Sequence, residues 1–228
     1  MAKFAIWIMG VAIPSLFVWL LIFLAPDRHN PFADIDLTAE PGLGTHAQIL
    51  NIRKDRERCF MALDRASVLY TPLEPGEVGD GTCGIRNGLT LDRTLTPYSA
   101  TLRMTCAETA ALYAWERHVA RPAATDLLGS PIARIETYGS YSCRNIAGTG
   151  RLSQHGRGNA IDISGFRLED GRLIDVKTHW KTKGPEGKFL RQIHEGGCEL
   201  FSVVLGPDYN AAHADHLHMD MGPGRVCR

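Results

Sequence analysis

Apolar and polar positions alternate with a period of two along two stretches in the C-terminal half of this chain. In Ala160-Ile161-Asp162-Ile163 the isoleucines share one side and Ala160 and Asp162 the other. Downstream, Leu217, Met219 and Met221 alternate with His216, His218 and Asp220. Successive strand side chains point to opposite faces, so both stretches predict strands whose polar faces carry carboxylates and imidazoles. Gly156 and Gly158 predict a tight turn that folds His155 back over that polar face. Further strands are expected at Ser67 to Tyr70, Gly88 to Leu91, Ile132 to Tyr138 and Leu200 to Leu205, with turn-rich chain over residues 67–98.

Helical periodicity marks three segments. His46 to Ala66 places Ile49, Ile52, Cys59, Phe60 and Leu63 on one side, and Lys54-Asp55-Arg56-Glu57-Arg58 reads as its solvated face. Thr105 and Glu108 have the spacing of a capping box. They open a helix that buries Ala107, Ala110, Ala111, Ala114 and Trp115 and is interrupted at Pro122. Gly184 to Gly197 carries Phe189, Leu190 and Ile193 and closes on Gly196-Gly197. The expected class is α+β: a small antiparallel sheet with flanking helices carrying a zinc site, stapled by disulfides and preceded by one N-terminal transmembrane helix.

That last element comes from the uncharged apolar run Phe4 to Ala25. At 1.5 Å per helical residue it spans a bilayer core of about 30 Å. It exceeds the apolar core of a cleaved signal peptide, and the one small-residue cleavage candidate, Leu24-Ala25, runs straight into Pro26. An uncleaved anchor over residues 1–25 is therefore expected, then a linker over 26–44 and one domain over 45–228. Lys3 before the run favours a cytoplasmic N-terminus and an inner-membrane, single-pass protein with its domain in the periplasm. All 6 cysteines, Cys59, Cys83, Cys106, Cys143, Cys198 and Cys227, lie beyond the run. None forms Cys-x-x-Cys, so three disulfides in an oxidising compartment are expected, with the pairing left open. Formal net charge is zero, and lysine and arginine form no long cluster. Nucleic acid is thus not the expected partner.

A catalytic zinc takes three nitrogen, oxygen or sulfur ligands and leaves one position open. His155, Asp162 and His218 supply that mixture from a turn and two strands, and Zn2+ is the expected cofactor. His216 shares the strand face of His218. Asp220 and Ser153 are candidates to orient the ligands, and His213 either lines the cleft or is an ordinary loop residue.

The pattern Ser153-x-His155-x-x-Gly158-x-Ala160-x-Asp162, followed by Asp215-x-x-His218, resembles the signature of the D-alanyl-D-alanine metallopeptidases, a superfamily that includes lysostaphin-type enzymes and the hedgehog zinc domain. This resemblance covers about 135 to 222, within a metallopeptidase-like core of about 130–222. Gly139-Ser-Tyr-Ser-Cys-Arg144, the Gly-Asn-Ala-Ile-Asp-Ile run, Val204-Leu-Gly-Pro207 and the ending Cys227-Arg228 resemble the bacterial extensin-like C-terminal domain family over roughly 55 to 228. These resemblances imply a zinc metallopeptidase acting on peptidoglycan peptides, as D,D-carboxypeptidase or endopeptidase. They imply Asp215 as general base, with His216 as helper or as competitor for that role. They imply Arg144 as the substrate-binding arginine, whose fork suits a carboxylate or an oxyanion. Two other readings are a non-catalytic zinc-containing wall- or partner-binding module, and a disulfide-stapled domain without metal.

Overall fold

In the computed structural model the described residues are Trp19, 24–79 and 81–228. The expected anchor, Phe4 to Ala25, lies outside them apart from Trp19, Leu24 and Ala25. Among the described residues no helix is long and apolar enough to cross a membrane.

Helical structure after Gly44 breaks where the sequence periodicity runs on. A first helix, α1, spans Thr45–Ile52 and a second, α2, spans Arg56–Arg65. Asp55 causes the division: its carboxylate accepts the Arg58 amide at 3.0 Å and caps a new helix. The single helix expected over His46 to Ala66 is thus a helical corner, with Arg53 and Lys54 at its bend. Residues 26–44, expected as a linker, are packed onto the domain, with Ile35 and Leu37 in the main core.

Nine strands form one sheet among the described residues. They are β1 (Leu69–Pro72), β2 (Gly88–Arg93), β3 (Pro97–Thr105), β4 (Ile132–Gly139), β5 (Ala160–Leu168), β6 (Leu173–Asp175), β7 (Val203–Leu205), β8 (Leu217–Asp220) and β9 (Val226–Cys227). The order is β1-β2-β3-β4-β5-β8-β7-β9, with β6 also paired to β5. The expected small antiparallel sheet is therefore corrected to a large mixed one, with β3–β4 and β7–β9 parallel. A parallel neighbour needs a long crossover, and helices α3 (Cys106–Trp115) and α4 (Arg121–Leu128) supply it between β3 and β4. Strand β7 begins only at Val203, because Leu200 still belongs to a helix.

Every residue of α3 is buried, and α1, α2 and α6 (Pro185–Leu200) pack around it. A short helix, α5 (Val176–His179), precedes α6. Trp115 is core, as expected, and its indole donates to the Ile193 carbonyl at 2.8 Å. Pro122 does not stop the helical path. A π-helical segment, Glu116–Ala120, joins α3 to α4, and Pro122 sits in the first turn of α4, where no backbone donor is needed. Gly196 and Gly197 likewise do not end their helix. A Cβ on Gly196 would lie 2.4 Å from Val119 Cγ1, and one on Gly197 2.7 Å from Met219 Cε. These glycines let α6 approach its neighbours closely.

The cysteines form three disulfides, Cys59–Cys106, Cys83–Cys143 and Cys198–Cys227. They tie α2 to α3, the loop before β2 to the loop after β4, and α6 to β9.

Candidate metal centre

Register across the middle of the sheet builds the site. Strands β5 and β8 are antiparallel, with Asp162 opposite His218, Ile161 opposite Met219 and Ala160 opposite Asp220. Directly opposed side chains share a face. Asp162 and His218 therefore meet on one face, while Ile161 and Met219 join the hydrophobic core. A one-residue slip would exchange the two sets.

His155 arrives from a single 3-10 turn, His155–Arg157, closed by Gly158 in the left-handed region at φ 61°. A side chain at Gly158 would also collide with Ile85, whose Cγ1 would lie 2.7 Å from the added Cβ. The Gly158 amide bonds back to the His155 carbonyl at 3.0 Å.

Three buried side chains then converge. His155 Nε2 lies 3.2 Å from Asp162 Oδ2 and 3.1 Å from His218 Nδ1, and His218 Nδ1 lies 2.9 Å from Asp162 Oδ1. Ligands about 2.0–2.1 Å from a tetrahedral zinc stand about 3.3–3.4 Å apart; the two nitrogens are slightly closer than that, and each meets a different oxygen of the Asp162 carboxylate. The outer nitrogens set the tautomers. His155 Nδ1 donates to the Ser140 carbonyl at 2.7 Å, and His218 Nε2 to Asp220 Oδ2 at 2.9 Å. Asp220 is fixed in turn by the Gly222 amide at 2.7 Å. With their outer nitrogens so engaged, both imidazoles turn the remaining nitrogen to the Asp162 carboxylate, as a metal ligand set does.

Three such acceptors need a positive charge among them. Without a cation a proton fills the role: burial alone would lower the pKa of His218, but Asp162 and Asp220 outweigh it and raise the value to about 9. Burial likewise favours the neutral form of Asp162, but His155 and His218 hold its pKa well below the usual carboxylate range. A metal ion would displace the His218 proton. A second cluster, His194, Cys198 and Cys227, also brings potential ligand atoms together. Its two sulfurs are bonded to each other and are not free to ligate.

Of the remaining expected site residues, Arg144 stands at the rim, with one guanidinium nitrogen 3.6 Å from Asp162 Oδ2 and its side chain 54% exposed. His216 faces the cluster, with Nε2 3.5 Å from Asp162 Oδ1. Asp215 lies in the turn before β8, and its Oδ1 accepts from His216 Nδ1 at 3.0 Å. The two form an acid–imidazole pair whose imidazole end is nearer the ligands. His213 packs beside them, with ring centroids 5.2 Å from His216 and 5.7 Å from His218. Burial first, then the charges of His218 and His216, lower its pKa to about 4. Ser153 supports the turn rather than a ligand ring: its hydroxyl accepts the His155 backbone amide at 3.3 Å.

Two contributors escaped the sequence reading. Tyr138, exposed at the end of β4, sets its ring against His216 at 5.8 Å and donates to Asp215 Oδ2 at 3.5 Å. A lone aromatic at a predicted strand end was the only available signal. The other is Glu108. Half of the expected capping box forms, with the Glu108 amide on Thr105 Oγ1 at 3.2 Å. The reciprocal half does not, because the Thr105 amide is taken by the Gly158 carbonyl at 2.7 Å. The Glu108 carboxyl is left wholly buried, with no hydrogen-bond partner for either oxygen among the described residues. Burial above all, then the charge of Asp220, raises its pKa well above the ordinary 4.5. The unfolded chain releases this proton near pH 4.5 and the folded chain only at higher pH. Stability present below pH 4.5 is therefore lost as pH rises, by up to about 1.4 kcal/mol per unit. Glu108→Gln should remove that slope and raise the melting temperature at pH 7–8 relative to wild type. A wild-type melting curve with the same pH dependence as the variant would contradict this.

None of the curated proteins compared with the chain matches it. The family described as "Extensin-like protein C-terminus" matches residues 57–228, from the first turn of α2 to the last residue and including every residue of the centre, and the chain belongs to that family.

Proposed function

We propose that this protein is a zinc-dependent hydrolase of bacterial cell-wall peptides, held in the inner membrane by its N-terminal segment with the domain in the periplasm. The observation that supports this best is the convergence of His155 Nε2, the Asp162 carboxylate and His218 Nδ1, each imidazole locked by an outer acceptor. His155, Asp162 and His218 would hold the metal. When bound, zinc supplies Lewis acidity for carbonyl polarisation and for acidification of water.

The chain's own groups divide the remaining work. His216 Nδ1–H is held by Asp215, which leaves Nε2 as a proton acceptor beside the ligand set. Asp215 orients the ring and steadies the imidazolium formed on proton transfer, and Tyr138 steadies Asp215 from the rim. His213, kept neutral by its lowered pKa, adds no charge against that imidazolium at pH 7. Arg144 presents exposed donors at the mouth, suited to a peptide carboxylate or to the negative oxygen of a tetrahedral intermediate.

The test is digestion of purified peptidoglycan by the full-length protein, with and without a chelator, the products being read by mass spectrometry beside elemental analysis of the protein. The expected result is about one zinc per chain and chelator-sensitive release of shortened or uncrosslinked stem peptides. Stoichiometric zinc with no cleavage of any wall peptide would replace this reading with a zinc-containing binding module. Absence of zinc after exposure to the ion would remove both.

A further inference from the structure

The helical corner at Arg53-Lys54, the loops before β2 and the back of the His155 turn enclose a groove of about 950 Å³ that contains none of the three candidate ligands. Among the described residues its walls carry Arg53, Lys54, Arg56, Arg86, Arg151 and Arg157 against a single carboxylate, Glu74. Among the described residues none of these cations forms an ion pair. Arg53 and Arg56 bond only to backbone carbonyls, those of Met221 and Leu73, and Arg56 also covers the Phe60 ring. Lys54, Arg86, Arg151 and Arg157 are exposed and have no side-chain partner there. A concave wall of unpaired cations in a chain of zero net charge concentrates anions, because the low-dielectric walls focus the field.

Two further features narrow the ligand. None of the lining residues is aromatic, so the groove has no platform for stacking sugars or nucleobases. Its polar floor holds amides. Asn159 binds both Thr105 Oγ1, at 3.0 Å, and Gln154 Oε1, at 3.1 Å, while Asn87 Nδ2 donates to the Arg53 carbonyl at 3.1 Å. This leaves Gln154 Nε2 as a spare donor and Asn87 Oδ1 as a spare acceptor among the described residues. A spare acceptor calls for a ligand that carries N–H groups as well as negative charge. Leu73, Ile85 and Leu152 add apolar wall between the cations.

We propose that this groove binds an acidic peptide segment, with several carboxylates at peptide spacing held by Lys54, Arg86, Arg151 and Arg157 and its main-chain amides met by Gln154 and Asn87. The site stands whether or not the metal centre hydrolyses anything.

The test is fluorescence anisotropy of a labelled hexaglutamate peptide with the full-length protein in neutral detergent. Binding should weaken steadily with added salt and survive removal of zinc by chelator. Arg151→Glu with Arg157→Glu should lower affinity by at least about tenfold, whereas Lys188→Glu, on the exposed face of α6, should leave it unchanged. Melting curves check folding. If the reversed pair melts early, Arg151→Gln with Arg157→Gln takes its place and should lose affinity in the same direction. No binding at low salt, an equal loss in the Lys188 variant, or unchanged affinity in both paired variants would overturn the proposal. So would equal or tighter binding of polyphosphate or of a single-stranded oligonucleotide of matching charge, which would make the groove a phosphate site.

Discussion

Alanine at His155, Asp162 or His218 should leave the purified protein without zinc and without hydrolytic activity. The two imidazole nitrogens stand 3.1 Å apart, and each lies 2.9–3.2 Å from an oxygen of the Asp162 carboxylate. Removing any one leaves two ligands where a catalytic zinc takes three. Binding and chemistry share the ion, so metal content and turnover should fall together. Asp220→Asn gives the graded comparison. The amide still reaches His218 Nε2 but no longer offers a charged acceptor, and loss of such an outer partner costs about 10–100-fold in metal affinity or activity. The order of severity, the three ligand variants beyond Asp220→Asn, is read by metal titration on each protein. A ligand variant with full zinc affinity would remove that residue from the centre.

His216→Ala should behave differently, with zinc retained and turnover reduced by about 10²–10⁴-fold, the usual contribution of a positioned proton-transfer group. Asp215→Ala should also retain zinc but lose less, since it acts through the ring it holds at 3.0 Å. The opposite order, with Asp215→Ala severe and His216→Ala mild, would return the general-base role to the carboxylate, as the resemblance to the metallopeptidases implies. Loss of zinc in either variant would place that residue among the ligands.

The meeting of His155, Asp162 and His218 was more legible in the sequence than the groups around them, for a physical reason. Asp162 and His218 lie on strands, where a period of two dictates which way a side chain points, and Gly156 and Gly158 mark the turn that carries His155. Alternation already puts His216 on the face of His218, whereas Asp215 lies in the preceding turn, where a period of two does not apply, and its bond to His216 shows only in the fold. Thr105 and Trp115 were legible because capping and apolar periodicity are local. Strand β3 was not, since Pro97 to Thr101 is largely exposed and polar and lacks apolar alternation. Gly196-Gly197 read as a stop because a sequence does not distinguish a glycine that ends a helix from one that admits Val119 and Met219. The groove was invisible for a related reason. Its cations come from residues 53–56, 86 and 151–157, so no single stretch is strongly basic and the formal charge sums to zero.

The Cys198–Cys227 bond has a consequence at the far end of the sheet. Strand β9 is only two residues long, yet it is what covers β7, and the disulfide keeps it there. In a reducing compartment, or after loss of the final few residues, β7 would present a row of unpaired amides and carbonyls to whatever chain lay nearest. Keeping that bond oxidised would then be a condition for staying monodisperse. Chains in which that bond is reduced would be expected to join edge to edge into oligomers through Val203–Leu205.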